Sequence, residues 1–167
     1  MIKQKVIDWF IQQLKNSSIF NELINLKMRE FYKNDTLTLY RVWGDETKIS
    51  IGQGVQINDA LINTVSGIVS IGDYSFCGHG VSLLTGTHDI LKNGADRQSS
   101  VPAKGRDIII GRGVWIASHA IILGPCEIGD NAVIGAGSLV TGKIEADTLY
   151  AGSPAKFIRQ IGSIDAK

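Results

Sequence analysis

Aliphatic residues recur at every sixth position along the second half of the chain. From Ile110 the sequence reads in sixes as IGRGVW, IASHAI, ILGPCE, IGDNAV, IGAGSL, VTGKIE and ADTLYA. The first position of these hexads is occupied by Ile110, Ile116, Ile122, Ile128, Ile134, Val140 and Ala146. The fifth position is occupied by Val114, Ala120, Cys126, Ala132, Ser138, Ile144 and Tyr150. An amphipathic α-helix repeats its apolar residues at three and four, and a single strand alternates at two, so neither explains a period of six.

The same period runs through the preceding segment in two other phases. One phase contains Val65, Ile71, Cys77 and Leu83, followed four places on by Val69, Ser75, Val81 and Thr87. The other contains Ile51 and Ile57, followed by Val55 and Leu61. A hexad is a short strand plus a corner, and three hexads close a triangular coil that stacks on the next at about 4.8 Å. We therefore predict an all-β protein, a parallel β-helix whose first and fifth hexad positions are buried by stacking.

Three segments depart from the repeat and divide the chain. Residues 1–33 have apolar residues at helical spacing, so we expect an N-terminal helical capping region over 1–45, followed by a β-helix domain over 46–154. A polar stretch at 86–107 interrupts the coils and is expected to protrude as a long loop, and such loops often carry function. After Pro154 the chain leaves the repeat, and we expect a short tail or helix over 155–167.

Composition excludes some classes of function. The chain has 17 basic and 16 acidic side chains and a net charge of +1, which argues against a nucleic-acid-binding surface. No apolar run reaches the roughly 20 residues of a membrane span, and the N-terminus does not resemble a signal peptide, so a cytoplasmic location is expected. The lysines of the N-terminal region are few and scattered, so membrane association is the weaker reading of its helices. Cys77 and Cys126 lie on inward hexad positions and are expected to be buried, inert thiols.

The three histidines, His79, His88 and His119, all fall outside the inward positions of their hexads. His79 and His119 are expected to be surface residues. His88 lies where the coil gives way to the polar loop, which joins a titratable group to a rigid scaffold and a flexible segment. Function often concentrates at such junctions. His88 is therefore the main catalytic candidate, with a polar loop anchor as its alternative.

The sequence GTHD with KNG, the run from IIIGRGVWIASH to GAGSLVTGKI, and the ending AGSPAKFIRQI resemble the hexapeptide-repeat acyltransferases. The galactoside, maltose and polysaccharide O-acetyltransferases are the most similar members, over roughly residues 50–160. The resemblance implies a left-handed β-helix and a homotrimer with active sites between subunits. It also implies acetyl-CoA as co-substrate and a carbohydrate as acceptor.

Roles for individual residues follow from this resemblance. His88 stands at the position of the general base, and Asn58 at that of an asparagine that orients the acceptor. Trp115 would form part of the acceptor or cofactor wall, and the Ser118 N–H would face the thioester oxyanion. Further substrate contacts are expected from Asp89 and Arg97 of the loop. The expected cofactor-binding residues are Ala117 (a glycine in the family), Ser118, Ala136, Thr141, Lys143, Lys156 and Arg159.

The implied chemistry is direct transfer of an acetyl group to a hydroxyl. A neutral imidazole can take the hydroxyl proton as the new C–O bond forms, and neither a covalent acyl-enzyme nor a metal is required. A sugar hydroxyl is the favoured acceptor, and the amine of an amino sugar or a hydroxyl of an antibiotic is the alternative. Three alternative roles also stay open. Asn58 is then an ordinary corner residue, Trp115 shields a coil edge, and the lysines and Arg159 are solvated surface charges.

Two rival functions fit the same scaffold. A zinc enzyme of the γ-carbonic anhydrase type needs an H-x₄-H-like pair of histidines on neighbouring hexads. The histidines at 79, 88 and 119 contain no such pair, which disfavours this rival. A non-catalytic β-helix that serves as an assembly module would not need a histidine at the mouth of a loop.

Overall fold

The computed structural model describes residues 40–162 together with Ser17, Phe20 and Glu22. The chain divides into two compact units, Met1–Leu37 and Thr38–Lys167. In the first unit Phe20 and Glu22 are helical, and the Phe20 N–H donates to Ser17 Oγ at 3.3 Å. The remainder of the amphipathic helices predicted over residues 1–33 lies outside the described residues.

The second unit is built from short strands joined by tight corners. In chain order the strands are β1 (Arg41–Trp43), β2 (Ile49–Ile51), β3 (Leu61–Asn63), β4 (Val69–Ile71), β5 (Phe76–Cys77), β6 (Ser82–Leu84), β7 (Ile108–Ile110), β8 (Trp115–Ile116), β9 (Ile121–Ile128), β10 (Val133–Ile134), β11 (Leu139–Ile144), β12 (Thr148–Gly152) and β13 (Ala155–Gln160). A 3₁₀ turn, Glu46–Lys48, precedes β2, and a six-residue helix, α1 (Gly94–Ser99), lies within the 86–107 loop.

Strands of successive coils pair in parallel and form three faces of a solenoid. The first face contains β1, β3, β6 and the start of β9. The second contains β2, β4, β7 and the end of β9, and β11 follows β9 across both faces. The third contains β5, β8, β10 and β12. The prediction of a parallel β-helix built from six-residue repeats is confirmed.

The core confirms the hexad pattern over most of the repeat. Every first-position and fifth-position residue from Ile110 to Ile144 is buried, including Cys126. The prediction is wrong for Ala146, which is exposed, whereas Thr148 is the next buried residue after Ile144. The pairing of β11 with β9 shifts register between Thr141 and Gly142, so the phase of the repeat does not continue unchanged to the last coil.

The inward positions predicted for the early coils are partly wrong. Ile51 is exposed because it lies near the start of the solenoid, where few coils cover it. Leu61 is only half-buried, and its neighbours Ala60 and Ile62 point inward instead, because Ile57 and Ile62 are only five positions apart. Val65 and Thr87 are also half-buried, since they lie at the corner from which the chain leaves the first face.

Both ends of the second unit pair with the coils. β1 lies in the segment that the sequence assigned to the capping region, and it pairs in parallel with β3. β13 turns back after Pro154 and pairs antiparallel with β12, so the segment expected to form a tail or a helix is a strand. The antiparallel return places an edge strand on the third face at the end of the repeat.

Coil stacking brings backbone against backbone at Gly72. A Cβ added there would lie 2.6 Å from the carbonyl carbon of Gly111 in the next coil, well inside van der Waals contact. We predict that Gly72→Ala lowers the free energy of unfolding by about 1–3 kcal/mol, because the coils must move apart to admit the methyl group. Urea unfolding followed by circular dichroism measures the change.

Gly162→Ala is the matched control, because nothing lies within 4 Å of a Cβ added at Gly162. Equal urea midpoints for the two variants would contradict the close stacking of these coils.

Candidate active site

His88 lies four residues after the end of β6, where the chain leaves the first face and enters the loop. Its side chain lines a cleft of about 380 Å³. The other residues that line this cleft are Trp43, Asn63, Val65, Gly86, Thr87 and Val101. Trp43 of β1 is 69% exposed and presents a large aromatic surface beside the imidazole. Trp43 precedes the recognisable repeat, so no signal in the sequence distinguishes it.

Two polar side chains fix the loop to the coil. Asn63 Oδ1 accepts the N–H groups of Val65 and Gly86, at 3.0 and 2.9 Å, and so bridges two stacked corners. At the other end of the loop, Arg106 Nε donates to the Thr85 carbonyl oxygen at 2.9 Å. Both Asn63 and Arg106 flank breaks in the repeat, which is the sequence signal that could have identified them. The backbone that carries His88 is therefore held on both sides.

The His88 ring is oriented by a backbone carbonyl. Its Nδ1 lies 3.0 Å from the carbonyl oxygen of Arg97 in α1. A carbonyl oxygen only accepts hydrogen bonds, so Nδ1 must carry the proton in this arrangement. In the neutral ring Nε2 is then unprotonated and can accept a proton.

Asp89 and Arg97, the loop residues expected to contact substrate, both make hydrogen bonds inside the loop. Asp89 Oδ1 accepts the Leu91 N–H at 3.0 Å, and the Asp89 N–H donates to the Ser100 carbonyl at 3.0 Å. The Arg97 guanidinium likewise donates to loop acceptors. These bonds give the loop an internal structure of its own.

Asn58 and Ser118 lie at the opposite corner of the first face. Asn58 has a left-handed backbone (φ 44°), and its Nδ2 donates to the Cys77 carbonyl at 2.8 Å. Asparagine tolerates this backbone conformation, and its side chain ties the corner to the next coil. Ser118 Oγ accepts the backbone N–H of His79 at 3.2 Å. Among the described residues the Ser118 backbone N–H has no hydrogen-bond acceptor.

The third face next to this corner carries the predicted aromatic wall. Trp115 is 45% exposed and stacks on Phe76, with ring centroids 5.9 Å apart and an interplanar angle of 13°. Ala117 precedes Ser118 at this corner, and Ala136 stacks on Ser118 in the next coil, as the register of β10 on β8 requires. The structure therefore brings Trp115, Ala117, Ser118 and Ala136 together.

The predicted cofactor-binding residues of the last coils do not all share one face. Lys156 and Arg159 are exposed on β13, at the edge of the third face. Thr141 is exposed on β11 at the end of the first face. Lys143 lies on the second face, where its Nζ is 3.8 Å from Glu145 Oε1, so it is separated from Lys156 and Arg159.

Within one chain, His88 and the Asn58–Ser118 corner do not meet. The first face lies between them, and the extended backbone from Ala60 to Val65 spans about 16 Å. Asn58 is therefore not among the residues that line the cleft beside His88.

The two thiols are not available as nucleophiles. Cys77 and Cys126 are free and buried, as predicted. Burial raises the pKa of each thiol to about 12, with a smaller contribution from Glu127 at Cys126.

His79 and His119 are exposed, also as predicted. Within the described part of the chain, no three His, Cys, Asp or Glu side chains cluster as metal ligands, and no helix is long and apolar enough to cross a membrane.

Comparison with known proteins identifies the repeat. A family described as "Bacterial transferase hexapeptide (six repeats)" matches residues 107–142. The galactoside O-acetyltransferase of Escherichia coli is 36% identical, over 82% of this chain and 54% of its own length. The galactoside O-acetyltransferase of Lactococcus lactis is 32% identical, over 71% of this chain and 56% of its own length. The chain thus spans about half the length of these curated relatives.

A solved structure has the same fold. The hexapeptide-repeat acetyltransferase of Vibrio cholerae superposes with a TM-score of 0.60 and 25% identity, over 70% of this chain and 64% of its own. A second structure of that protein, complexed with acetyl coenzyme A, superposes with a TM-score of 0.51 and 21% identity, over 81% of this chain and 79% of its own. This chain belongs to the hexapeptide-repeat transferase family and shares its left-handed β-helix.

Proposed function

We propose that this protein transfers an acetyl group from acetyl-CoA to a hydroxyl of a sugar or glycan precursor, with His88 as general base. The observation that carries the proposal is the imidazole at the loop mouth, whose Nδ1–H is bound to the Arg97 carbonyl and whose Nε2 is left to accept a proton. This chain is similar to proteins named galactoside O-acetyltransferase and to the Vibrio cholerae acetyltransferase whose structure contains acetyl-CoA. These similarities support the same reaction class.

The reaction proceeds by direct attack in a ternary complex. Nε2 of His88 takes the proton of the acceptor hydroxyl while its oxygen forms a bond to the thioester carbonyl carbon. The tetrahedral oxyanion is stabilised by the free Ser118 N–H, and such a donor contributes about 10²–10³ in rate. The C–S bond then breaks, and the imidazolium returns its proton to the departing thiolate. The raised thiol pKa values argue against an acyl-cysteine intermediate.

The cleft beside His88 supports an uncharged acceptor. Of the described residues that line it, none is an Asp, Glu, Lys or Arg, so this part of the site offers no carboxylate to an ammonium group and no basic side chain other than His88 to a carboxylate. Trp43 offers an aromatic face to the apolar side of a sugar ring, with His88 beside it. A hydroxyl of a neutral sugar fits these surroundings better than the amine of an amino sugar.

The complete site forms between copies of the chain in a homotrimer. Asn58, Trp115 and Ser118 of one copy approach His88 of the next, since a single chain holds them at opposite corners. Coenzyme A then lies along the column of Ala117 and Ala136. Its phosphates reach the exposed Lys156 and Arg159 beyond that column. We expect the enzyme in the cytoplasm, where acetyl-CoA is available.

The base is tested by His88→Ala and His88→Gln. We predict that each lowers kcat by about 10²–10⁴, because proton removal from the hydroxyl is lost, while the thermal melting temperature stays near that of the wild type. Release of free coenzyme A thiol from acetyl-CoA, screened over neutral sugars and amino sugars, measures activity and names the acceptor. Wild-type rates in either variant would overturn the proposal.

The shared site is tested by mixing two inactive variants, His88→Ala and Asn58→Gly. Glycine accepts the left-handed backbone at position 58, so that corner is preserved. If each site takes His88 from one copy and Asn58 from its neighbour, random reassembly into trimers restores about one quarter of wild-type activity.

The control for this experiment is the same mixture without dissociation and reassembly, which should stay inactive. Sedimentation equilibrium of the wild type measures whether the assembly is a trimer. No recovery after reassembly would place both residues in one chain's site and contradict the shared arrangement.

A further inference from the structure

The Arg97 side chain makes three hydrogen bonds within the 86–107 loop, and we call these contacts the Arg97 clasp. Its Nε donates to the Lys92 carbonyl at 2.6 Å. Its Nη2 donates to the Ile90 carbonyl at 3.2 Å and to Asn93 Oδ1 at 3.1 Å. These three acceptors lie between His88 and the start of α1, so one guanidinium joins the first half of the loop to the helix.

The main chain of the same residue holds the imidazole. The Arg97 carbonyl oxygen accepts from His88 Nδ1 at 3.0 Å and from the Ser100 N–H at 3.3 Å, and a carbonyl oxygen can accept two such bonds. The side chain of Arg97 therefore fixes the segment after His88, and its carbonyl fixes the ring itself.

Besides the Arg97 side chain, the C-cap residue Ser100 ties α1 to the first half of the loop. Its carbonyl accepts the Asp89 N–H at 3.0 Å and its Oγ accepts from Lys92 Nζ at 2.8 Å. The helix has six residues, none of them buried, and its N-cap residue Asn93 makes no side-chain capping bond. A helix this short is marginal without tertiary contacts. The planar guanidinium provides several charge-assisted bonds in a fixed geometry, which an ammonium group cannot reproduce. The position of the Arg97 carbonyl thus depends on its own side chain as well as on the bonds at Ser100.

We propose that Arg97 is a positioning residue that keeps His88 in the Nδ1–H tautomer and its Nε2 ready to accept the hydroxyl proton. The inference rests on the proposed role of His88 as base. On this inference Arg97 orients His88 through the loop, whereas the sequence predicted that Arg97 contacts the substrate. Removal of the clasp should misplace the base and slow the chemical step without weakening the binding of acetyl-CoA.

The test uses Arg97→Lys and Arg97→Gln in the full-length protein. We predict that both lower kcat by about 10–100-fold with the KM for acetyl-CoA within twofold of wild type, because a displaced base costs rate and leaves cofactor binding intact. Arg112→Gln is the matched control, since Arg112 is also exposed and donates Nε and Nη2 to Asp130 Oδ2, at 3.2 and 2.9 Å, away from the loop. Its kcat should be unchanged.

Nitrogen-15 NMR of the imidazole rings reads the tautomer without any reaction. The chain has three histidines, so the His88 signals can be assigned by their loss in His88→Gln. The wild type should show a protonated Nδ1 at His88 near neutral pH, and Arg97→Gln should shift the equilibrium toward protonated Nε2.

A wild-type kcat in the Arg97 variants would overturn the inference. So would an acceptor KM that rises while the His88 tautomer stays unchanged, because that pattern indicates a substrate contact. The two proposals can fail separately. Intact acetyl transfer in His88→Ala would overturn the role of His88 as base, and the tautomer measurement would still show whether Arg97 orients the ring.

Discussion

The structure depends on one constraint, the stacking of each coil on the next at the spacing of paired β-strands. Backbone hydrogen bonds between coils require this spacing, and it leaves room for only one layer of side chains inside the solenoid. An aliphatic residue at every sixth position satisfies that requirement, as Ile110, Ile116 and Ile122 do. The same spacing excludes a side chain where Gly72 faces Gly111. A repeat with this geometry is rigid, and rigidity is what the site needs.

The site exists because the solenoid presents its corners in fixed columns. One corner carries Asn58 and Ser118, and a second carries Asn63 and the departure of the loop toward His88. Each corner is well ordered, but the first face separates them. The chemistry we propose uses both corners, and for that reason we propose a site assembled from two chains.

The sequence predicted much of this arrangement and missed part of it for a physical reason. His88 could be found because it marks the break between a periodic and an irregular segment, and Cys77 and Cys126 because burial follows the period. Asn63 and Arg106 are marked in the sequence by their places beside breaks in the repeat, but those places do not reveal hydrogen bonds to the backbone of a neighbouring coil. A polar residue that serves the backbone has the same sequence signal as a solvated one.

The sequence by itself determined the repeat, because burial at a fixed period is a local property of each hexad. It did not determine how many residues each corner uses, so Leu61 and Ala146 were assigned to the wrong side of the coil. Only the tertiary structure decided that Arg97 turns its guanidinium into the loop and its carbonyl to His88. The orientation of Arg97 depends on which hydrogen-bond acceptors the folded loop brings within reach. Hydrogen bonds of this kind produce no periodic pattern in the sequence, so the sequence alone does not reveal them.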